Sequence, residues 1–216
     1  METVVISLGG SIVAPEGADA EFLRDFAKLT RELLTADTGR RFIFVVGGGG
    51  PARAWQKAYW DACAGFSQTA DEAADWIGVM ATRLNAQLVK AVMGELCPDE
   101  VVTDPSGEVS FTGRTLIAAG WKPGFSSDFD AVLLAEKFGA KTLVNLSNIE
   151  RVFTDDPRKN PDAKPLDMVS WKDFRAMVGE EWVPGKNTPF DPVASRRADE
   201  IGLKVICAAG RNLPNL

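Results

Sequence analysis

The segment Arg41-Phe42-Ile43-Phe44-Val45-Val46-Gly47-Gly48-Gly49-Gly50-Pro51 constrains the fold more than any other stretch of the chain. Its apolar run is too short for a helix and is bounded by glycine, so it reads as a strand buried on both faces, as in a parallel sheet. Pro51 to Ala62 reads as a helix, because proline is tolerated in a helix's first turn. Four successive glycines separate the two elements. Ordering four glycines costs much backbone entropy, so a plain connector would rarely use them. Their side-chain-free N–H groups, beside a helix N-terminus with its partial positive charge, form a cradle for phosphate. Arg53 lies near the first turn and could fork onto the same anion. The segment is not a Walker A loop, since no Gly-Lys-Ser/Thr follows, and its glycine spacing does not fit the dinucleotide fingerprint.

The same order of strand, turn and helix recurs along the chain. Val4 to Leu8 is a short apolar run ended by Gly9-Gly10-Ser11, a second place where the backbone can approach an anion. Glu21 to Thr35 carries Phe22, Leu23, Phe26, Leu29, Leu33 and Leu34 at helical spacing. Asp71 to Cys97 reads as one bent helix or as two. Thr115–Ala119 and Lys141–Leu146 read as buried strands, and Asp128–Phe138 as a helix between them. Val169–Val178 and Pro192–Ile201 read as helices, Lys204–Ala208 as a closing strand, and Thr154–Pro165 as an exposed polar loop. Strands alternating with helices predict an α/β class fold, a single-domain α/β/α sandwich with a mostly parallel central sheet. A length of 216 residues fits one such domain.

Composition narrows the chemistry. The net charge is -6, which argues against a nucleic-acid surface. The chain has no histidine, which excludes histidine general bases, the serine triad and histidine metal ligands. Cys63, Cys97 and Cys207 are three in number and widely spaced, as reduced thiols in a cytoplasmic protein would be. No apolar run is long enough to cross a membrane, and Met1-Glu2-Thr3 lacks the basic start of a signal peptide.

In an open parallel sheet, ligands bind beyond the carboxyl ends of the strands. A third segment falls there: Pro123-Gly124-Phe125-Ser126-Ser127-Asp128. Ser126 or Ser127 would cap the helix that follows, and Asp128 suits its positive end. Trp55, Trp60 and Trp76 fit helix burial or a subunit interface better than base stacking. The pair Asp155-Asp156 reads as a Mg²⁺ ligand or as a solvated acidic turn.

Taken in order, these segments resemble the amino-acid kinase superfamily, and within it the archaeal-type uridylate (UMP) kinases. The resemblance rests on Ile6-Ser7-Leu8-Gly9-Gly10-Ser11, Val45-Val46-Gly47-Gly48-Gly49 with Ala52-Arg53, and Asp75-Trp76-Ile77-Gly78 with Ala81-Thr82-Arg83-Leu84-Asn85-Ala86. It continues through Pro123-Gly124 with Ser126-Ser127-Asp128 and Leu133-Leu134-Ala135-Glu136. It ends with Ser147-Asn148-Ile149-Glu150-Arg151-Val152-Phe153-Thr154-Asp155-Asp156-Pro157 and Asp191-Pro192-Val193-Ala194.

The resemblance implies transfer of the ATP γ-phosphoryl to UMP with Mg²⁺, in a cytoplasmic homo-oligomer (dimer or hexamer) serving pyrimidine nucleotide biosynthesis. Such transfer depends on positioning and charge neutralisation. It implies a nucleoside monophosphate half over residues 1–140 and an ATP half over 141–216. Gly47, Gly48 and Arg53 would hold the UMP phosphate, with Gly9 and Gly10 near the transferred group. Asp75 would take the ribose hydroxyls, Ser126 and Ser127 would contact UMP, and Asp128 would organise the transfer. Asn148, Phe153, Asp156 and Pro157 would line the ATP site.

Some positions depart from the family's pattern. Ser7 and Gly50 stand where relatives often carry lysine, Glu150-Arg151 replaces Asp-Gly, and Phe153 lacks a tyrosine's hydroxyl. Lys164 or Lys122 would supply the missing charge. These departures leave two other readings, a nucleotide-binding sensor of the same fold or a superfamily kinase with another small acceptor.

Overall fold

The computed structural model describes residues 1–66, 70–157, 159–181 and 188–215. The chain begins with β1 (Glu2–Leu8), a single helical turn α1 (Gly10–Val13), α2 (Ala20–Ala36), β2 (Arg40–Val46) and α3 (Gly49–Ala62). It continues through α4 (Asp71–Met93), a 3₁₀ turn (Gly94–Leu96), β3 (Thr115–Ala118), α5 (Ser127–Lys137) and β4 (Thr142–Ser147). The last part holds β5 (Val152–Phe153), β6 (Pro165–Leu166), α6 (Trp171–Val178), α7 (Pro192–Glu200) and β7 (Lys204–Ala209).

Five strands form one parallel sheet in the order β3-β2-β1-β4-β7. Alternation along each strand divides the core in two. Ile6, Leu8, Phe42, Phe44, Val46 and Ile117 face a cluster built with α1, α2 and α4. Val5, Ile43, Val45, Leu116, Ala118 and Leu143 face a second cluster with α5, α6 and α7. Burial on both faces explains why the strands read as apolar runs rather than as alternating patterns. The stripe on α2 packs Phe26 onto Phe44, ring centroids 5.0 Å apart in an edge-on contact, with Phe22 stacked on Phe26. Asp19 caps α2 by accepting the Phe22 N–H at 3.0 Å, and that bond together with Arg211 holds its carboxyl below the ordinary range.

The α/β/α sandwich predicted from the sequence is therefore present, with four differences of detail. The segment from Asp71 is one helix, ended at Gly94 by a backbone φ of 60° and continued by the 3₁₀ turn. The helix after β2 opens at Gly49, not at Pro51, so only Gly47 and Gly48 act as connector. The turn α1 had no signal in the sequence, since it is closed by bonds from Ile12 and Ala14 N–H to the carbonyls of Gly9 and Gly10. The expected loop over Thr154–Pro165 is largely exposed, but its ends extend a short antiparallel hairpin. Phe153 pairs with Pro165, and Thr154 N–H donates to the Lys164 carbonyl at 2.9 Å.

Candidate functional site

The strand order reverses direction between β1 and β4. The chain moves outward from β1 through β2 to β3, then returns to place β4 on β1's other side. At such a switch point the loops leaving the two neighbouring strands part, and a crevice opens between them. The loop after β1 lies on one side and the loop after β4 on the other. They touch through the Ser11 hydroxyl, which donates to the Asn148 side-chain oxygen at 2.7 Å.

The two glycine segments meet on the β2 side of this crevice. A Cβ on Gly10 would lie 2.1 Å from the Gly49 nitrogen and 2.6 Å from the Gly47 carbonyl carbon, so only glycine allows the loops this approach. Gly49 itself has φ of +63°, in the left-handed region. Gly47 N–H donates to the Leu8 carbonyl and Gly50 N–H to the Ala14 carbonyl. Among the described residues, no protein acceptor meets the N–H groups of Gly10, Ser11, Gly48 or Gly49. Four backbone donors without a protein acceptor, at adjoining helix N-termini, are the kind of group that holds an anion.

Gly50 resolves differently from its sequence reading. A Cβ there would lie 2.2 Å from the Pro15 carbonyl oxygen and 2.7 Å from the Glu16 Cα. The position is closed by backbone, so a lysine cannot occupy it along the present path of residues 14–16. Arg53 sits exposed on the first turns of α3 and donates to the Pro15 carbonyl at 3.1 Å.

Helix α4 braces the loops that follow β2 and β3. Asn85 Nδ2 donates to the carbonyls of Gly47 and Gly48 at 2.9 and 3.0 Å. Thr82 Oγ1 accepts the Gly120 N–H at 2.7 Å, and Arg83 donates to the Gly120 and Trp121 carbonyls. Asp75 accepts the Gly124 N–H at 2.7 Å, which ties α4 to the Pro123-Gly124 turn. Lys122 in that turn places Nζ 3.8 Å from the Trp121 ring centroid. Ser126, not Ser127, is the N-cap of α5, accepting from Phe129 N–H at 3.2 Å, and Ser127 is the first helical residue.

On the opposite face, three elements converge on Asp128. Ser7 Oγ on β1 donates to Asp128 Oδ1 at 2.8 Å, and the Asp191 N–H at the cap of α7 donates to Oδ2 at 3.3 Å. Burial pushes the Asp128 carboxyl up to about 6; the Ser7 bond opposes that rise and the charge of Asp191 adds to it. Asp191 is also raised by burial, while it accepts the Ala194 N–H at 2.7 Å. Asp130, two residues along α5, is wholly buried. Its Oδ2 accepts the Trp121 N–H at 3.1 Å and its Oδ1 has no hydrogen-bond partner. Burial, opposed by that one bond, raises its carboxyl to about 7.

The sequence-predicted residues thus divide by location. Gly9, Gly10, Gly47, Gly48 and Asp128 surround the end of β1, with Asn148 joined to them through Ser11. Asp75 on α4 contacts the turn after β3, and Ser126 and Ser127 lie at the start of α5. Phe153, Asp156, Pro157 and Lys164 lie on or beside the β5–β6 hairpin, where Phe153 is half-buried and Lys164 exposed. Ser7, Asn85, Thr82, Arg83 and Asp130 were not singled out as site residues by the sequence; the partners of the first four are distant along the chain, and the burial of Asp130 has no local signal.

Comparison with known proteins identifies the family. The sequence profile described as the amino acid kinase family matches residues 2–209. The chain belongs to the amino acid kinase family. It is 34% identical to the uridylate kinase of Methanospirillum hungatei JF-1, covering 98% of this chain and 87% of that protein. It is also 34% identical to the uridylate kinase of Pyrococcus abyssi, over 93% of this chain and 87% of that one. Among solved structures, the uridylate kinase of Archaeoglobus fulgidus superposes with a TM-score of 0.82 at 28% identity, over 100% of this chain and 93% of that chain. Aspartate kinase from Synechocystis shares the fold, with a TM-score of 0.70 at 16% identity over 96% of this chain and 38% of that one. No helix among the described residues is long and apolar enough to cross a membrane.

Proposed function

We propose that the protein transfers the γ-phosphoryl group of ATP to UMP, giving ADP and UDP, as a step of pyrimidine nucleotide biosynthesis in the cytoplasm. The observation that carries this reading is the set of unpartnered N–H groups on Gly10, Ser11, Gly48 and Gly49 at the sheet's switch point. The uridylate kinases that match nearly the whole chain support the choice of substrates. In this reading Gly47, Gly48 and Arg53 hold the acceptor phosphate, and Gly9 and Gly10 face the transferred group. Asp75, Ser126 and Ser127 take the nucleoside, so residues 1–140 form the acceptor half. Asn148, Phe153, Asp156, Pro157 and Lys164 belong to the ATP half, residues 141–216.

Asp128 organises the transfer between the two halves. The reaction needs aligned oxygens and donors aimed at the moving charge more than it needs a proton acceptor, which a chain without histidine can provide. Among the described residues no three acidic or thiol groups cluster as a metal cage. Mg²⁺ would accordingly enter on the phosphates of ATP, its usual mode in phosphoryl transfer.

The protein assembles as a homo-oligomer in this reading. Trp55, Met80 and Leu84 on α3 and α4 are 65%, 56% and 68% exposed, an apolar surface of the kind that marks subunit contacts.

A coupled ADP-release assay over all nucleoside monophosphates tests the activity. UMP is the expected acceptor, with Arg53→Ala raising its KM. Absence of turnover with every monophosphate would refute the enzyme, and an unchanged UMP affinity in Arg53→Ala would refute that residue's role.

A further inference from the structure

Asn85 is a polar residue on the buried face of α4, only 4% exposed and one turn from buried Ala81 and Val89 on either side. A buried amide is tolerated when its hydrogens are taken up, and here a single nitrogen satisfies both of them. Nδ2 donates to the Gly47 and Gly48 carbonyls, 38 and 37 residues away in sequence.

The consequence lies on the far side of the two peptide planes. In a trans peptide the carbonyl of one residue and the N–H of the next point in opposite directions. Fixing the Gly47 and Gly48 carbonyls on Asn85 therefore turns the N–H groups of Gly48 and Gly49 away from α4, and these are two of the four donors without a protein acceptor. Consecutive glycines have little preference of their own for one peptide orientation over the flipped one, and besides Asn85 the Gly48 carbonyl accepts a long bond, 3.4 Å, from the Ala52 N–H of α3. A flipped plane would present a carbonyl oxygen to the ligand and repel an anion.

We infer that Asn85 is a positioning residue that selects the anion-binding orientation of the Gly47–Gly49 backbone, making the loop selective for the phosphate of its ligand. The inference rests on the reading of that loop as the holder of the acceptor phosphate. Its chemistry is specific to an amide. Asparagine supplies two hydrogens from one atom. Serine supplies one, leucine none, and aspartate would set lone pairs against both carbonyls.

The test compares UMP with uridine, which lacks the phosphate, by calorimetric titration and competition on the full chain. In Asn85→Leu and Asn85→Asp the affinity for UMP is expected to fall by about 10- to 100-fold, the equivalent of losing one hydrogen bond to a charged oxygen, while uridine binding is unchanged. Asn85→Ser, which keeps one donor and is the least disruptive change, is expected to lie between them and the wild type. Equal losses for UMP and uridine in the folded Asn85→Ser protein would make Asn85 merely structural and overturn the inference. So would an undiminished preference for UMP in the variants. A wild-type chain that binds UMP no better than uridine would instead remove the phosphate-site reading itself, and the inference with it.

Discussion

Asp130→Asn isolates the cost of a buried charge that no part of the proposed chemistry uses. The carboxyl is fully buried, holds one N–H bond and has an oxygen without a partner. Its folded value of about 7 lies above the 3.8 of an ordinary aspartate. A raised acid binds its proton more tightly in the folded protein, so folding is disfavoured progressively as pH rises from the unfolded value through the folded one. At about 1.4 kcal/mol per pH unit of separation, the full penalty is about 4 kcal/mol above pH 8, and about 3 kcal/mol of it accrues between pH 5 and pH 8. Asparagine keeps an oxygen for the Trp121 N–H and carries no charge. Its unpartnered amide resembles the unpartnered hydroxyl of the neutral acid, so the two proteins should have similar stability below about pH 4, where the unfolded aspartate is protonated too. Between pH 5 and pH 8 the variant's advantage should grow by about 3 kcal/mol, which for a chain of this size is roughly 6–12 °C in melting temperature. Urea unfolding of both proteins from pH 5 to pH 8 measures the difference, which includes the repulsion between Asp130 and Asp128. Parallel stability profiles would refute the claim that Asp130 is charged and uncompensated in the folded protein.

Three further outcomes are expected. Ser7→Ala removes the hydroxyl bond that opposes the rise in the Asp128 carboxyl; the acid limb of the kcat profile, set near pH 6, should move to higher pH with little loss of melting temperature. Gly50→Lys should lower stability by about 1–3 kcal/mol, measured by urea unfolding, and should not raise turnover, because its Cβ would meet the Pro15 carbonyl oxygen at 2.2 Å. Leu84→Glu, at an exposed position on α4, should shift the protein to a smaller species by light scattering without changing its circular dichroism.

The strands and most helices were legible because their signals are local. A parallel sheet buried on both faces writes its strands as unbroken apolar runs, and the Phe22-Leu23-Phe26 spacing on α2 follows directly from the helical repeat. The glycine segments were legible as a class of site, since glycine carries a conformational cost that a plain turn would avoid. What the sequence could not reveal are the contacts that decide how those glycines are used. The start of α3 was misplaced because Pro51 marks a first turn by its own chemistry, whereas Gly49 and Gly50 join the helix through packing against Gly10, Ala14 and Pro15. Asn85 falls within a block that resembles the family's, but its role as a brace shows only in its carbonyl partners across the fold.

The two departures at Ser7 and Gly50 take on a different meaning for the same reason. Read as absent lysines, they leave the anion site short of two charges. In the folded chain Gly50 lies against backbone and leaves no room for a side chain along the present path, while the Ser7 hydroxyl is bonded to Asp128. The donors at the crevice come instead from backbone. Helix α3 opens at Gly49 beside the Gly10 loop, and α5 and α7 open around Asp128, bound to β1 through Ser7 and to α7 through the Asp191 N–H. Helix N-termini and unpartnered N–H groups supply donors that are fixed by the fold and need no reorganisation as charge moves during phosphoryl transfer. Activity in such a site should therefore depend more on glycine geometry than on any single lysine. For this chain, substitutions at Gly10 and Asn85 should cost more turnover than removal of Lys122 or Lys164, and kcat/KM for the four variants would decide it.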